Sequence, residues 1–580
     1  MPHTGFIVKF INALRPLAGQ RKLVVFALKS QPVLIISSIL IFTGSIFEII
    51  GLSSLQPVLM NIQSHSPSAS GAWHRALEMA NLRANNTNLL IIFCLAFLMR
   101  TVAILVGHSA MVHGLKSLQK MISCTIFRNI LQNIETNEIE KQKIGFFVSL
   151  AGDEAARAPQ IVQLILTSIQ ALALAVMYSA ALVLISPSLF FTIALIGLGS
   201  MVIVVFSQKR SVALGERSLE LSKNAGTIFL DGVTGFKSLR SLHGTEYAAL
   251  KYSREMGSYM RILRNIEIYG NIVKLSPLMV IFVSILIAVK LTPPAKLDVF
   301  LSEQGAEIIL VTALLMRVLP AIGQVISCGS KAAAEAKSSR NVLEWMTGKN
   351  SATPYPDHKT QFPNDISYIE FKNVSFRYDA RGPWILKDFT RRFECGRTYA
   401  IMGKSGAGKS TLLDLLAGLR NPDKGTIAIF RKGSTKPISP YRSEVVIVQQ
   451  NTFLVTASIG ENLALSEHYE DNPAQQTRLQ QALYLSLLSE FLETLKDGVG
   501  TLLGYHGNGL SGGQKQRLAV GRAFYQDRPI IIGDEITSAL DSDTSRKLIQ
   551  NLKNFCKEKI LILVTHDESL LSQFDDVIRL

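Results

Sequence analysis

A glycine-rich segment of the type that binds phosphate groups lies in the C-terminal half of the chain. An apolar run at Thr398–Met402 predicts a strand before it, and 411–416 predicts a helix after it. Backbone N–H groups of such a loop approach phosphates closely, and the helix N-terminus adds a favourable dipole. We predict a nucleoside triphosphate site there, with Mg²⁺ bound at Ser410. The residues assigned to it are Gly403, Ser405, Gly406, Gly408, Lys409, Ser410 and Thr411.

A second acidic site follows further along the chain. The run 530–532 is three isoleucines, and after Gly533 it ends in Asp534 and Glu535. This pattern predicts a buried strand with two carboxylates at its end. We expect Asp534 to hold Mg²⁺ and Glu535 to polarise the attacking water. With the phosphate loop present, the two sites together predict hydrolysis of ATP.

Composition divides the chain into two parts. Of its 580 residues 48% are hydrophobic, and these are concentrated before about residue 330. The pattern predicts a membrane part followed by a soluble part. The formal net charge is +16, but the Lys and Arg residues flank apolar segments, as in cytoplasmic loops. We therefore expect no nucleic-acid partner. The five cysteines have no metal-ligand spacing and are expected to be free thiols.

Six segments are long and apolar enough to cross a bilayer, which takes about 20 residues. Basic linkers after the second and fourth segments place both linkers and both termini in the cytoplasm. The predicted domains are an amphipathic N-terminal helix at 1–30, a transmembrane domain at 31–330, a linker at 331–367 and a soluble domain at 368–580. The predicted spans are 33–58, 88–112, 160–185, 188–208, 266–291 and 305–327.

Several ionisable residues fall within or near these spans. A charge at the bilayer centre costs about 2.5–3.5 kcal/mol on insertion scales, so such residues should face water or one another. One interpretation is a polar pathway for a substrate, for which Glu48, Arg100 and Arg317 are the candidates. The alternative is that the basic residues lie in helices that extend beyond the membrane. The full set is Glu48, Arg100, His108, Lys274, Glu307 and Arg317.

The segment Leu510-Ser511-Gly512-Gly513-Gln514 resembles the signature of the ATP-binding cassette (ABC) transporters. The resemblance covers the whole chain, as six spans precede one cassette. It implies a multi-domain membrane protein: an all-α six-helix transmembrane domain of the exporter fold and an α/β P-loop ATPase cassette. It also implies that Ser511, Gly512, Gly513 and Gln514 complete the ATP site of a second copy.

Other family elements match by position. The resemblance implies that Tyr378 stacks on adenine and that Gln450 senses Mg²⁺ and the attacking water. It also implies that Asp541 belongs to a loop at the dimer interface and that His566 contacts the γ-phosphate. Because no catalytic position is degenerate, we expect a homodimer with two competent ATP sites. Glu535, His566 and Gln450 are the predicted catalytic residues.

Two features depart from the family pattern. Tyr505 and His506 occupy positions where exporters usually have Glu and Arg, in a segment that touches the membrane domain. The chain also ends at Leu580, where the resemblance implies a further strand and helix. The first departure bears on how ATP hydrolysis is coupled to the spans.

The layout implies an exporter of the half-transporter type in a bacterial inner membrane, with the cassette in the cytoplasm. Residues 47–51, a helix at 72–80 in the first external loop and 315–320 resemble bacterial lipid-linked oligosaccharide flippases. A lipid-linked glycan is therefore the favoured substrate, and membrane lipids are expected partners. An exporter of peptides, lipids or drug-like molecules is the main alternative. An ATP-gated channel or regulator is a further one.

Overall fold

The computed structural model divides the chain into two compact units. One comprises Met1–Leu131 and Glu140–Lys349, and the other comprises Gln132–Ile139 and Asn350–Leu580. The residues that the structure describes are 21–64, 85–132, 139–140, 142, 144–185, 201–291, 314–329, 331–332, 335–347, 365–379, 381–438, 444–466, 468–469, 472–504 and 507–580.

The described residues of the first unit form helices and short turns. A π-helical turn at Leu150–Glu154 joins α4 to α5. The helices are α1 (Arg21–Ser30), α2 (Val33–Ser64), α3 (Asn86–Gln132), α4 (Ile144–Ser149), α5 (Ala155–Ile185), α6 (Met201–Thr234), α7 (Phe236–Ser241), α8 (Thr245–Leu291), α9 (Leu314–Gly329) and α10 (Ala336–Thr347).

Three helical stretches among the described residues are long and apolar enough to cross a membrane. These are Val33–Ser54, Asn86–Gln132 and Gly145–Ala180, and the bent pair Thr245–Ser276 and Leu278–Ser284 gives a fourth if counted as one span. They contain the predicted second span and overlap the predicted first, third and fifth spans. Leu314–Gly329 is a shorter apolar helix that overlaps the predicted sixth span.

Some predicted elements lie outside the described residues. They include the N-terminal amphipathic segment up to residue 20, the external-loop helix at 72–80, most of the fourth span, and Glu307.

Helices α2 and α3 pack closely because Gly107 lacks a side chain. A Cβ at Gly107 would lie 2.7 Å from Ile41 Cγ1 and 3.1 Å from the Ser37 carbonyl oxygen. Further along α3, Ile122 and Ile126 pack in a buried cluster that includes residues of α1, α5 and α10. This core holds the N-terminal helices to the later ones.

Charged side chains tie the π-helical turn to other helices of the same unit. Glu154, which is fully buried, lies 3.4 Å from Lys223 Nζ of α6 and accepts a hydrogen bond from Asn341 of α10. One turn later, Arg157 donates to Glu335 at 3.0 Å and to Tyr259 of α8 at 2.7 Å. Because an unpaired buried charge is costly, these contacts hold α5 against three other helices.

The second unit contains two sheets. An antiparallel sheet has the order β2-β1-β4-β5, and a parallel sheet has the order β6-β7-β8-β3-β9. The strands are β1 (Ile366–Phe376), β2 (Leu386–Glu394), β3 (Thr398–Met402), β4 (Lys424–Arg431), β5 (Pro437–Ile438), β6 (Val445–Val448), β7 (Ile530–Asp534), β8 (Ile560–Val564) and β9 (Asp576–Arg579).

Helices cover the parallel sheet, as expected for strands that are apolar on both faces. They are α11 (Lys409–Leu416), α12 (Ile459–Ala464), α13 (Pro473–Leu485), α14 (Ser489–Glu493), α15 (Gly512–Gln526) and α16 (Ser542–Phe555). Phe371, Phe393 and Tyr399 belong to one buried cluster that joins the two sheets and α11. A second cluster packs α15 and α16 with the parallel strands.

Candidate active site

The phosphate loop joins β3 to α11, as the sequence predicts. Gly406 and Gly408 have φ values of 83° and 91°, a left-handed backbone that favours glycine. A Cβ at Gly408 would also lie 2.9 Å from Ile385 Cγ2. These two glycines let the loop curl around the start of α11, where N–H groups can donate hydrogen bonds to an anion.

Lys409 is folded back onto this loop. Its ammonium group donates to the carbonyl oxygens of Gly403 at 2.9 Å and of Lys404 at 3.1 Å. The side chain is buried, so the positive charge is held at the centre of the loop. A charge in this position can neutralise phosphate oxygens that approach the N-terminus of α11.

Ser410 and Asp534 bring the two predicted sites together. Ser410 Oγ donates to Asp534 Oδ2 at 3.1 Å, across 124 residues of sequence. Burial raises the pKa of Asp534; the Ser410 hydrogen bond opposes this rise and nearby Glu535 adds to it. Because burial disfavours the charged form of this carboxylate, a cation bound beside it would stabilise that form.

The three predicted catalytic residues are in contact with one another through the Glu535 carboxylate. Its Oε2 accepts a hydrogen bond from Gln450 Nε2 at 2.6 Å, and its Oε1 lies 3.0 Å from His566 Nε2. The three residues follow β6, β7 and β8, whose carboxyl ends are adjacent in the parallel sheet. Glu535 also has a φ of 48°, a strained value for a residue with a side chain.

Tyr378 lies beside the same loop. Its ring is exposed, its hydroxyl is 3.0 Å from Thr411 Oγ1, and the Arg420 guanidinium is 4.9 Å from the ring centroid. The aromatic ring is therefore fixed near the start of α11 while part of its surface remains open. This arrangement suits stacking against a planar base.

The signature residues form the N-terminus of α15. Ser511 Oγ accepts from the Gln514 backbone N–H at 3.2 Å, while Gln514 Oε1 accepts from the Ser511 N–H at 2.7 Å. This reciprocal capping box fixes the helix start. Asp541 caps α16 by accepting from the Thr544 N–H at 3.0 Å.

Residues 386–538 match the family model described as ABC transporter. These residues therefore form a cassette domain of the ABC transporter type. A bacterial Atm1-family ABC exporter solved with ATP bound has a TM-score of 0.74, with 97% of this chain and 93% of that chain covered at 17% identity. The exporter fold predicted from the sequence is therefore confirmed. The match to this family implies that the cassette binds ATP.

Two curated relatives match over part of their lengths. The ATP-dependent lipid A-core flippase of Alkalilimnicola ehrlichii is 31% identical over 395 residues, which are 66% of this chain and 64% of the relative. The leukotoxin translocation ATP-binding protein LktB of Mannheimia haemolytica is 35% identical over 232 residues, which are 40% of this chain and 32% of the relative. The chain thus spans less than two thirds of either relative.

The cassette offers oxygen ligands that suit a magnesium ion. Mg²⁺ prefers one or two protein carboxylates or hydroxyls together with substrate phosphates. Ser410 and Asp534 offer this set at 3.1 Å from each other. Among the described residues, no group of three or more His, Cys, Asp or Glu side chains could hold a metal alone. The donor set therefore suits Mg²⁺ that arrives with ATP.

In the membrane unit, the three predicted pathway residues meet. Glu48, whose side chain is only 6% exposed, lies 3.0 Å from Arg100 Nε and 2.8 Å from a terminal nitrogen of Arg317. They come from α2, α3 and α9. The side chain of Arg317 is 45% exposed. One carboxylate is thus shared by two guanidinium groups, which leaves a net positive charge. Lys274, by contrast, is exposed on α8.

The sequence reasoning missed two polar side chains in the cassette. Gln516, two residues after the signature, bonds to the turn that follows Glu535. Arg522 donates to the carbonyl oxygens of Phe453 and Asn462, and burial lowers its pKa to about 10. Both lie on α15, so their spacing from Ser511 was a usable signal. The departures Tyr505 and His506 lie outside the described residues.

Proposed function

We propose that this chain is an ATP-driven exporter of an amphipathic substrate and that it works as a homodimer in a bacterial inner membrane. The observation that carries the proposal is the convergence of Gln450 and His566 on the Glu535 carboxylate. Glu535 would accept a proton from the attacking water, and Gln450 and His566 would hold its carboxylate in place. Bound Mg²⁺ would neutralise charge on the phosphate oxygens.

The position of the signature at the N-terminus of α15 supports a homodimer. Ser511, Gly512, Gly513 and Gln514 form a helix N-terminus that is exposed at Ser511 and Gly512. Backbone N–H groups at such a position can donate hydrogen bonds to phosphate. By the family resemblance, this N-terminus would meet the ATP held on a second copy's phosphate loop. Two ATP molecules would then clamp two cassettes together, and hydrolysis would release them. Because Glu535, Gln450 and His566 are all present, both sites of a homodimer would be competent.

We propose a lipid-linked oligosaccharide as the substrate. The group formed by Glu48, Arg100 and Arg317 carries one negative and two positive charges, and Arg317 is accessible. Guanidinium groups bind phosphate oxygens in a bidentate fashion, so this group suits a phosphate-bearing headgroup. The similarity to a protein named lipid A-core flippase supports a lipid with an attached glycan.

A peptide or protein substrate is the second candidate. It is favoured by the similarity to proteins named for leukotoxin translocation. The two candidates differ in the chemistry that Arg317 would meet, since a polypeptide need not carry phosphate.

The deciding experiment is ATPase stimulation in proteoliposomes with lipid-linked oligosaccharides, phospholipids and peptides supplied separately. We expect the lipid-linked oligosaccharide to raise the ATPase rate most. Stimulation by peptides alone would overturn the substrate proposal in favour of peptide export. ATP-dependent ion conductance without movement of any substrate would favour a channel.

A further inference from the structure

Gln516 joins the signature helix to the turn that carries the catalytic carboxylate. It lies on α15, five residues after the N-cap Ser511, and is only 7% exposed. Its Oε1 accepts from the Ala539 backbone N–H at 2.9 Å, and its Nε2 donates to Ser538 Oγ at 2.7 Å. Both polar atoms of the amide are therefore used, and both contact the segment between Glu535 and Asp541.

The same turn is connected directly to Glu535. The Ser538 N–H donates to the Glu535 carbonyl oxygen at 3.1 Å, and Gln516 Nε2 lies 3.5 Å from that oxygen. Glu535 has a left-handed φ of 48°, which persists only where neighbouring contacts hold it. Gln516 supplies such contacts from outside the turn. Loss of its amide would let the backbone of Glu535 relax.

The signature itself packs on this turn. A Cβ at Gly513 would lie 3.0 Å from the Ala539 carbonyl oxygen, and one at Gly512 would lie 3.4 Å from Ala539 Cβ. The start of α15 and the turn are thus in close contact, and Gln516 adds hydrogen bonds to this packing. A displacement of the helix start would be carried to Glu535.

We infer that Gln516 is a positioning residue that links the two ATP sites of the dimer, an inference that rests on the proposed function. In one chain, the signature would bind ATP held by the partner, while Glu535 would act on ATP held by the chain itself. Gln516 joins these two elements within one cassette. Occupancy of one site would thereby orient the Glu535 carboxylate of the other.

The first test uses steady-state kinetics of the full-length protein. Gln516→Ala and the similarly long Gln516→Met both remove the two hydrogen bonds, and Gln516→Met keeps most of the volume. A misplacement of about 1 Å can cost about 100-fold in rate, so we expect kcat to fall by up to this factor. We expect the Hill coefficient for ATP to fall towards about 1, as coupling between sites is lost. The Kd of a fluorescent ATP analogue should be unchanged, because Lys409 and its loop are untouched.

Two further variants sharpen the result. Ser538→Ala removes one hydrogen bond and should change kcat and the Hill coefficient in the same direction by a smaller factor. Gln526→Ala is the matched control, since Gln526 ends the same helix and its amide lies 3.4 Å from the Ala464 carbonyl oxygen. It should behave like the unaltered protein. Unaltered kcat and Hill coefficient in Gln516→Met would overturn the inference.

A second measurement does not depend on ATP hydrolysis. The Ala539 N–H should exchange with deuterium faster in Gln516→Met than in the unaltered protein, because its acceptor is gone. Equal exchange rates would overturn the positioning role. If the unaltered protein hydrolyses no ATP, the proposed function fails instead. If it hydrolyses ATP with a Hill coefficient of about 1, the link between the sites is overturned.

Discussion

Gln450 donates a hydrogen bond to Glu535 at 2.6 Å, although 85 residues separate them in the sequence. Because β6 and β7 are neighbours in the parallel sheet, the residues that follow them meet at one edge. His566 joins the same carboxylate from the end of β8. Three separate strand ends therefore hold one candidate general base beside the phosphate loop.

Replacing Glu535 with Gln should abolish most ATP hydrolysis while ATP binding persists. The amide keeps the shape of the side chain but cannot accept the proton of the attacking water. Loss of general-base catalysis costs about 10² to 10⁴ in rate. The measurement is the steady-state ATPase rate beside the Kd of a fluorescent nucleotide. Glu370→Gln, which alters a surface pair with Arg392 in the antiparallel sheet, is the control. Near-normal turnover in Glu535→Gln would contradict the assignment.

His566→Ala should lower kcat with little effect on ATP affinity. Its ring contacts Glu535 at 3.0 Å, so its loss should leave the carboxylate less well held. Residues that act as a unit are non-additive in their effects on rate. The double variant Glu535→Gln with His566→Ala should thus be no slower than Glu535→Gln alone. A further large loss in the double variant would show that the two residues act independently.

Asp534→Asn should stabilise the nucleotide-free protein by an amount that depends on pH. Burial raises the pKa of Asp534 above its usual value of 3.8, so the folded state binds this proton more tightly than the unfolded state. Binding of this proton to Asp534 therefore stabilises the folded state at low pH. This contribution is lost as the pH rises through the folded-state pKa of Asp534. The difference in Tm between variant and unaltered protein should therefore grow with pH and then level off.

Thermal unfolding from about pH 4 to pH 8 measures this difference. Addition of Mg²⁺ and ATP should reverse its sign, because the ion then compensates the Asp534 charge in the unaltered protein. A pH-independent difference in Tm would argue that Asp534 is not perturbed.

Tyr378→Ala should weaken ATP binding, whereas Tyr378→Phe should not. Stacking of a base on an aromatic ring contributes about 1–3 kcal/mol. The Phe variant keeps the ring and loses only the contact with Thr411. Equilibrium binding of ATP to both variants separates the ring from the hydroxyl. Equal weakening in the two would mean that the hydroxyl, rather than stacking, supports the site.

Arg317→Ala should reduce substrate-stimulated ATPase activity more than basal activity. Its guanidinium is partly exposed and shares Glu48 with Arg100, so it can reach an anionic headgroup. Arg261→Ala is a matched control, because Arg261 contacts only a neighbouring helical turn through Ser258 among its described hydrogen bonds. An equal fall in basal and stimulated rates would indicate a structural role for Arg317.

The cassette was largely predictable because its signals are local. The phosphate loop, β3 and the acidic end of β7 were located from residue patterns alone. One boundary shifted by two residues, since α11 starts at Lys409 rather than 411. Pattern reasoning places an element better than its ends, where caps and pairing decide.

The membrane unit was less predictable because hydropathy indicates which residues can lie in the bilayer, but not where a helix begins or ends. The second span was predicted at 88–112, but α3 runs over Asn86–Gln132. Beyond the apolar part, Ile122 and Ile126 keep the helix packed in a buried core. The pairing of Glu48 with arginines of α3 and α9 depends on tertiary packing. No spacing of residues in the sequence indicates this pairing.

ATP-dependent movement of a fluorescent lipid-linked oligosaccharide across proteoliposomes tests the central claim most directly. The unaltered protein should move the lipid only with ATP and Mg²⁺, and Glu535→Gln should bind ATP without moving it. The same membranes without protein give the background rate. Movement at the same rate without ATP, or in Glu535→Gln, would contradict a transport cycle driven by hydrolysis at Glu535.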